Sequence, residues 1–238
     1  MKKEIPKLAT TSFIYQDTRI MNVLKLKHLF DEIELLFFES KREYDQLDKN
    51  ELTLLKKIDT KYSAHLPYDR NLNNPDDLEY MISFIKNLTS LNVSYFFLHS
   101  NGDDFESIEK ICHLNPSVLI ENTVSSNIFD SLKNTKIKYC YDIGHSLLNN
   151  ENPFEIIKKY GEKIKYIHLH GVNADKDHQE ICHLDLNLVK YIFDFAIDYN
   201  VTISIELFDF SKLLNSLNYL LEVFNKYGYS YHRWNQKW

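Results

Sequence analysis

Glycine is scarce in this chain, with five in 238 residues. Neither GxGxxG nor GxxxxGK occurs, so a glycine-rich phosphate cradle is excluded as the basis of function. Cysteine is scarcer still. Cys112, Cys140 and Cys182 form an odd set without a CxxC pair, which suits a reducing compartment and offers no disulfide framework. Long apolar runs are missing: none reaches the roughly 18 residues of a membrane span. The basic start, MKKEIPKLATTSF, lacks the apolar stretch of a secretory signal, so a cytoplasmic protein with no membrane partner is expected. An excess of positive charge is also absent. There are 28 Lys and Arg against 34 Asp and Glu, a formal net charge of −6. Bulk nucleic-acid binding leaves a basic footprint, and none is present.

What remains is ordinary globular material, 44% hydrophobic and 26% charged, long enough to build a core without disulfides. No linker or low-complexity tract divides it, so one domain over residues 1–238 is expected. Short apolar runs alternate with amphipathic stretches. Strands are expected at Leu8–Phe13, Glu32–Phe38, Lys61–Leu66, Tyr95–His99, Ser117–Glu121, Lys138–Asp142, Lys165–His170 and Thr202–Leu207. VSYFFLH, IKYIHLH and VTISIEL are nearly continuous apolar runs, as in strands covered on both faces. Helices are expected around Val23–Phe30, Glu51–Ile58, Pro75–Leu91, Glu106–His113, Asn127–Lys133, Pro153–Tyr160, Leu186–Tyr199 and Ser211–Tyr227. The clearest opens with Asp76 and Asp77 and carries an apolar stripe of Leu78, Met81, Ile82, Ile85 and Leu88. Eight strands, each followed by a helix, predict a parallel α/β fold closed as a (β/α)8 TIM barrel. The polar stretch Gly171–Leu184 reads as an active-site loop.

Strand after strand ends in a metal-ligand residue type: His65, His99, Glu121, Asp142 with His145, His168 with His170, and Glu206, with His178 in the long loop. In such a barrel the C-terminal strand ends converge on one mouth, where active sites sit. Burying Glu121 and Glu206 in apolar strands costs several kcal/mol unless each is paired or bound to a cation. Mixed carboxylates and imidazoles suit Zn²⁺, Mn²⁺ or Fe²⁺. Taken singly, each residue has a plainer reading: a hydrogen-bonded core histidine, a buried ion pair, or, for Asp142, a helix cap. His168 and His170 are read as facing opposite ways, one a ligand and the other a supporting residue. Tyr15, Glu39, Tyr68, His170 and Lys176 are candidate substrate contacts, with packing or solvation as their alternatives. Glu34 lies within a strand whose facing is left open. His28, His113 and His232 read as surface groups, and the terminal YHRWNQKW as packing on the barrel bottom.

The order AHLPYD, LH, ENT, DIGH, HLHG with a following DH, and IEL resembles the xylose-isomerase-like barrel superfamily, which holds sugar isomerases, epimerases and endonuclease-IV-type enzymes. Within it, TTSFIY (Thr10–Tyr15), DEIELLFFES (Asp31–Ser40), HLPYD (His65–Asp69) and His168–His178 resemble the cobamide-remodelling phosphodiesterases of the CbiR type. That resemblance implies hydrolysis of the phosphoribosyl linkage in the nucleotide loop of a cobamide by a monomer or homodimer. It implies one metal on His65, His99 and Glu121, and a second on Glu121, Asp142, His168 and Glu206. Glu121 bridges them, and Glu121, Asp142 and Glu206 serve as the catalytic carboxylates. His145 and His178 would serve a third metal, but Lys176 stands where that pattern has an Asp, with Asp177 displaced by one, so two or three ions are implied, zinc first. A sugar isomerase, a DNA repair endonuclease and a corrinoid carrier are the alternatives. A one-metal isomerase would use Glu121 and Glu206 as an acid/base pair.

Overall fold

The structure is a computed structural model that describes residues 2–42, 45–46, 48–100, 105–123 and 125–234. Eight parallel strands close into a barrel: β2 (Leu8–Thr11), β3 (Glu32–Leu36), β4 (Lys61–His65), β5 (Val93–His99), β6 (Val118–Glu121), β7 (Lys138–Asp142), β8 (Ile164–Leu169) and β11 (Thr202–Ile205). β11 pairs with both β8 and β2, which closes the ring. Two strands outside the barrel, β1 (Lys3–Glu4) and β12 (Tyr229–Ser230), pair with each other. The expected (β/α)8 barrel is therefore the fold.

Around it run α1 (Arg19–Leu26), α2 (Lys49–Leu55), α3 (Pro75–Leu88), α4 (Phe105–Leu114), α5 (Asn127–Leu132), α6 (Ile143–Leu148), α7 (Pro153–Tyr160), α8 (Leu186–Tyr199) and α9 (Phe210–Tyr227). Local chemistry sets their ends. In α3, Asn74 caps the amide of Asp76, Pro75 occupies the first turn, and Leu78, Met81, Phe84, Ile85 and Leu88 are buried. Asp185 caps α8, which ends at Asn200 in the left-handed region. Gly228 ends α9 with φ 74°. Among the described residues no helix is long and apolar enough to cross a membrane.

The strands differ from expectation mainly at their C-terminal ends. Phe13, Phe38, Leu66, His170 and Leu207 lie just beyond the ladders. There the pairing thins to single bonds, such as Ser12 N–H to Glu34 O, Leu66 N–H to Phe97 O and Glu206 N–H to Leu169 O. The stretch Gly171–Leu184 is not a plain loop. It forms a hairpin of β9 (Gly171–Asn173) and β10 (Lys176–Gln179), then a 3-10 turn at Ile181–His183. α6, not expected from the sequence, follows β7 directly.

Two layers of packing result. Between strands and helices lies the large aliphatic and aromatic core. Inside the barrel, Ala9, Phe97, Leu119, Cys140 and Tyr166 pack together. Polar groups share that interior. Tyr166 donates to Glu32 (3.1 Å) and lies 3.0 Å from Ser63 Oγ. One step toward the mouth, Ser204 donates to Glu34 (2.8 Å). Glu32 and Glu34, Ser63 and His65, and Tyr166 and His168 are pairs spaced by two, as inward-facing positions must be. At the other end, Trp234 stacks on Phe224 and Arg233 pairs with Asp31 (2.7 Å). The terminal segment thus closes the bottom as expected; its last four residues lie outside the described ones.

Candidate metal centre at the barrel mouth

β4, β5, β6 and β7 end on His65, His99, Glu121 and Asp142, β8 carries His168 at its penultimate position, and Glu206 follows β11. Two further histidines arrive from outside the ladder. Asp142 Oδ1 accepts the backbone N–H of His145 (2.7 Å) and starts α6, which turns His145 back over the mouth. The β9–β10 hairpin folds inward and delivers His178. All of these side chains are buried or nearly so.

Glu121 is the hub. Its Oε1 lies 3.3 Å from His99 Nε2, 3.4 Å from His168 Nδ1 and 3.8 Å from His145 Nδ1, and its Oε2 lies 3.8 Å from His65 Nε2. His65 and His99 meet through their Nε2 atoms at 2.9 Å. His168 Nδ1 faces Glu206 Oε2 at 3.1 Å and Asp142 Oδ2 at 3.9 Å. His178 Nε2 reaches within 3.7 Å of Glu206 Oε1. The ligand atoms fall into sets, each within 4.8 Å: three share Glu121 (His65, His99 and Glu121; Glu121, Asp142, His168 and Glu206; Glu121, Cys140 and His168), and a fourth stands apart, His145, His170 and His178.

These residues fit divalent cations on a direct observation. Both oxygens of Glu121, Oε2 of Glu206 and both ring nitrogens of His168 are buried without a hydrogen-bond partner. Buried charged oxygens are not left bare in stable proteins unless something else satisfies them. The donor set, imidazole nitrogen and carboxylate oxygen, is that of zinc, manganese or iron sites. The electrostatics agree. Burial alone would push Glu121 and Glu206 upward, but neighbouring imidazoles, His168 foremost, hold both well below the usual carboxylate range. Burial, with help from His99, drives His65 down to about 4, leaving its ring neutral and able to donate a lone pair.

His168 and His170 do not face opposite ways. Residues two apart share a face, and both reach Asp142, His170 Nε2 lying 3.2 Å from Oδ2. His170 is buried, and at its other edge Nδ1 accepts the backbone N–H of His178 (2.9 Å). Its ring stacks on His178, which stacks on Phe208 in turn. His178 is thus an ordered part of the mouth. Asp142 is both helix cap and site residue. Asp177 contacts His178 Nδ1 (3.2 Å), and Lys176 is exposed on the hairpin. Tyr15 takes its packing alternative, stacked on Phe210 with Lys25 over its ring. Tyr68 stacks on His99 and donates to Glu39 (3.2 Å), which also pairs with Arg42 (2.6 Å). An aromatic rim of Phe13, Phe38 and Phe208 stands beside them, edge to face. His28, His113 and His232 are exposed, as expected. Sequence reasoning missed Cys140 and Asn122. The Asn122 side-chain amide bonds both backbone groups of Asp142, and the Asn122 backbone carbonyl lies 2.9 Å from His145 Nδ1. The ENT and YCYD segments carried that signal.

No family model matches the chain, and no curated protein sequence matches it. Solved structures do. A D-tagatose 3-epimerase-like protein superposes with TM-score 0.75 at 19% identity, covering 92% of this chain and 97% of its own. Endonuclease IV from Thermus thermophilus gives 0.68 at 14%, covering 91% and 100%. The IolI protein, with a bound zinc atom, gives 0.69 at 13%, covering 93% and 99%. The chain has the xylose-isomerase-like barrel fold. At these identities the likeness concerns the fold alone, and the chemistry rests on the side chains described above.

Proposed function

We propose that this protein is a metal-dependent phosphoester hydrolase and that its substrate is the phosphodiester of a cobamide nucleotide loop. One observation carries the reaction class. A three-residue set, His65–His99–Glu121, adjoins a four-residue set, Glu121–Asp142–His168–Glu206, and the two share Glu121. A single-metal isomerase has use for the second set only. Two adjacent cation sites sharing a carboxylate suit in-line displacement at phosphorus. Divalent cations held there would acidify a water molecule and neutralise the phosphoryl oxygens.

The chain's own residues prepare that chemistry. Glu121 faces both sets, Oε1 lying against His99 and His168 and Oε2 against His65. His170 and Asn122 hold Asp142 from either side, so its carboxylate enters the mouth in one orientation. Hydrolysis adds water across the bond from phosphorus to the nucleoside oxygen; the nucleoside leaves as its alcohol and the phosphate stays on the cobinamide. The substrate assignment rests on the resemblance of Thr10–Tyr15, Asp31–Ser40, His65–Asp69 and His168–His178. These four segments adjoin at the mouth, where Phe38 makes ring contact with Phe13, Tyr68 and His65. An aromatic rim suits a bulky ligand that presents a flat conjugated face.

A second reading is a sugar epimerase, favoured by the four-residue set taken alone, with Glu121 and Glu206 as the acid/base pair. One experiment separates the readings. Metal-loaded protein is incubated under anaerobic conditions with adenosylcobalamin, an abasic-site DNA duplex and a panel of ketoses, and products are weighed by mass spectrometry. Release of a cobinamide phosphate is expected. Interconversion of ketoses with the corrinoid left intact would replace the proposal with the epimerase; nicking of the duplex alone would replace the substrate.

A further inference from the structure

Glu34 lies outside every candidate ligand set, yet it is fully buried inside the barrel beneath the mouth. Its Oε2 accepts a hydrogen bond from Ser204 (2.8 Å) and sits 3.4 Å from His168 Nε2. Its Oε1 has no partner. His168 therefore stands between one carboxylate below and three above. Nε2 faces Glu34, and Nδ1 faces Glu206, Glu121 and Asp142 at 3.1–3.9 Å. A buried carboxylate beside an imidazole nitrogen is tolerable when that nitrogen carries the proton. The opposite nitrogen then keeps its lone pair.

We propose that Glu34, aimed by Ser204, is a positioning residue for the metal centre: Glu34 Oε2 and His168 Nε2 face each other at 3.4 Å without a formed hydrogen bond, and with metal bound Glu34 accepts the Nε2 proton of His168 and so fixes Nδ1 as the ligating atom. The inference rests on the metal-centre reading above. It is the carboxylate–histidine–metal arrangement, in which an outer carboxylate sets the ring's tautomer, its angle and its donor strength. The strand period requires the geometry. Glu34 enters the barrel two residues after Glu32, and Ser204 enters two residues before Glu206. His168 enters two residues after Tyr166, so one interior layer holds Glu34, Ser204 and His168 together. The layer below, Glu32–Ser63–Tyr166, has the same polar character. The Tyr166 ring meets His168 edge to face, but its hydroxyl is engaged with Glu32 and Ser63, and Ser63, separated from His168 by Tyr166, supplies the control.

The test uses the metal-free full chain, with Zn²⁺ affinity measured by competition against a chromogenic chelator and the visible absorption of the Co²⁺-loaded protein as a second readout. Glu34→Gln is expected to weaken Zn²⁺ binding about 10–100-fold, the range for outer-shell carboxylates, and to shift the Co²⁺ bands. Ser204→Ala should move both readouts in the same direction by less, and Ser63→Ala should move neither. A Glu34→Gln protein with wild-type affinity and wild-type Co²⁺ bands overturns the proposal. If that variant does not fold, unchanged readouts in Ser204→Ala overturn it instead. Wild-type protein that holds neither Zn²⁺ nor Co²⁺ sinks the metal-centre reading as well, whereas wild-type binding with an indifferent Glu34→Gln sinks only this one.

Discussion

Gly144 has no room for a side chain, because a Cβ built there would lie 1.9 Å from Cε1 of His170. The glycine of DIGH is thus a packing requirement: it lets the His170 ring lie against the start of α6 and reach Asp142. Gly144→Ala is expected to cost about 1–3 kcal/mol, as overpacking a filled interior does, and to lower kcat more than KM because it displaces the support of Asp142; denaturant unfolding and steady-state kinetics check both. Glu121→Ala should remove metal from both sets that share the residue, leaving metal content by elemental analysis below half that of the wild type. Much at this scale was legible in the sequence. His65, His99, Glu121, Asp142, His168 and Glu206 stand out as charges or imidazoles at the ends of apolar strands. Glu34 was not, since its strand reads EIELL, with apolar and acidic residues alternating, and either face could have been the barrel interior. His170 was misplaced because the spacing of two was read as opposite faces; Asp142, touched by both His168 and His170, shows the shared one.

Elements carry the site because ladders fix the ends of strands, while the segments beyond them are free to turn. The strands were readable to within one or two residues, for their apolar runs have no rival interpretation. The β9–β10 hairpin was not. GVNADKDHQ has neither alternation nor β-branched density; its turn has Ala174 and Asp175 at positive φ, and His178, where the register of β10 shifts, is at positive φ as well, a conformation that non-glycine residues seldom take. α6 escaped notice since six residues are too few to show a helical period. Its signal was Asp142 as a cap, and that reading competed with Asp142 as a candidate ligand, although one carboxylate both caps α6 and faces His168 and His170. A test at this scale concerns Arg19, which joins α1 to its neighbours. Its Nη1 contacts both oxygens of Glu51 on α2 (2.7 Å each), its Nε donates to Leu36 O at the end of β3 (3.2 Å), and its guanidinium lies 4.1 Å from the centre of the Phe37 ring. The side chain is only 7% exposed. Arg19→Ala leaves Glu51 and a carbonyl without their partner and is expected to destabilise the fold by about 3–5 kcal/mol, as breaking one side of a buried pair does. Urea unfolding measures it; a loss within about 0.5 kcal/mol, the usual span of a surface substitution, would show that α2 docks without it.

At the scale of the whole molecule the net charge of −6 understates a local problem. Glu34, Glu121, Asp142 and Glu206 are all buried at one end of one barrel, and among the described residues the positive charge that can stand against them comes from histidines and, in our reading, from metal. Without metal the balance must come from protons. Burial would lower His178, but Asp177 and Glu206 raise it to about 10; burial would lower His145, but Asp142 and Glu121 raise it as well. At about pH 7, below the raised value of His178, that ring holds a proton in the metal-free protein, His145 leans the same way, and a cation must displace protons to bind. Zn²⁺ added to metal-free protein in weak buffer with an indicator dye is therefore expected to release protons, and its affinity should weaken as pH falls, since protons and metal compete for the same atoms. The same linkage stabilises the fold. Free metal at about 100 times its Kd adds about 2.7 kcal/mol, roughly 5–10 °C in Tm for a chain of this length. A titration with no proton release and no shift in Tm would mean that the histidines neutralise the carboxylates permanently and that the mouth is an ion-pair core rather than a metal centre.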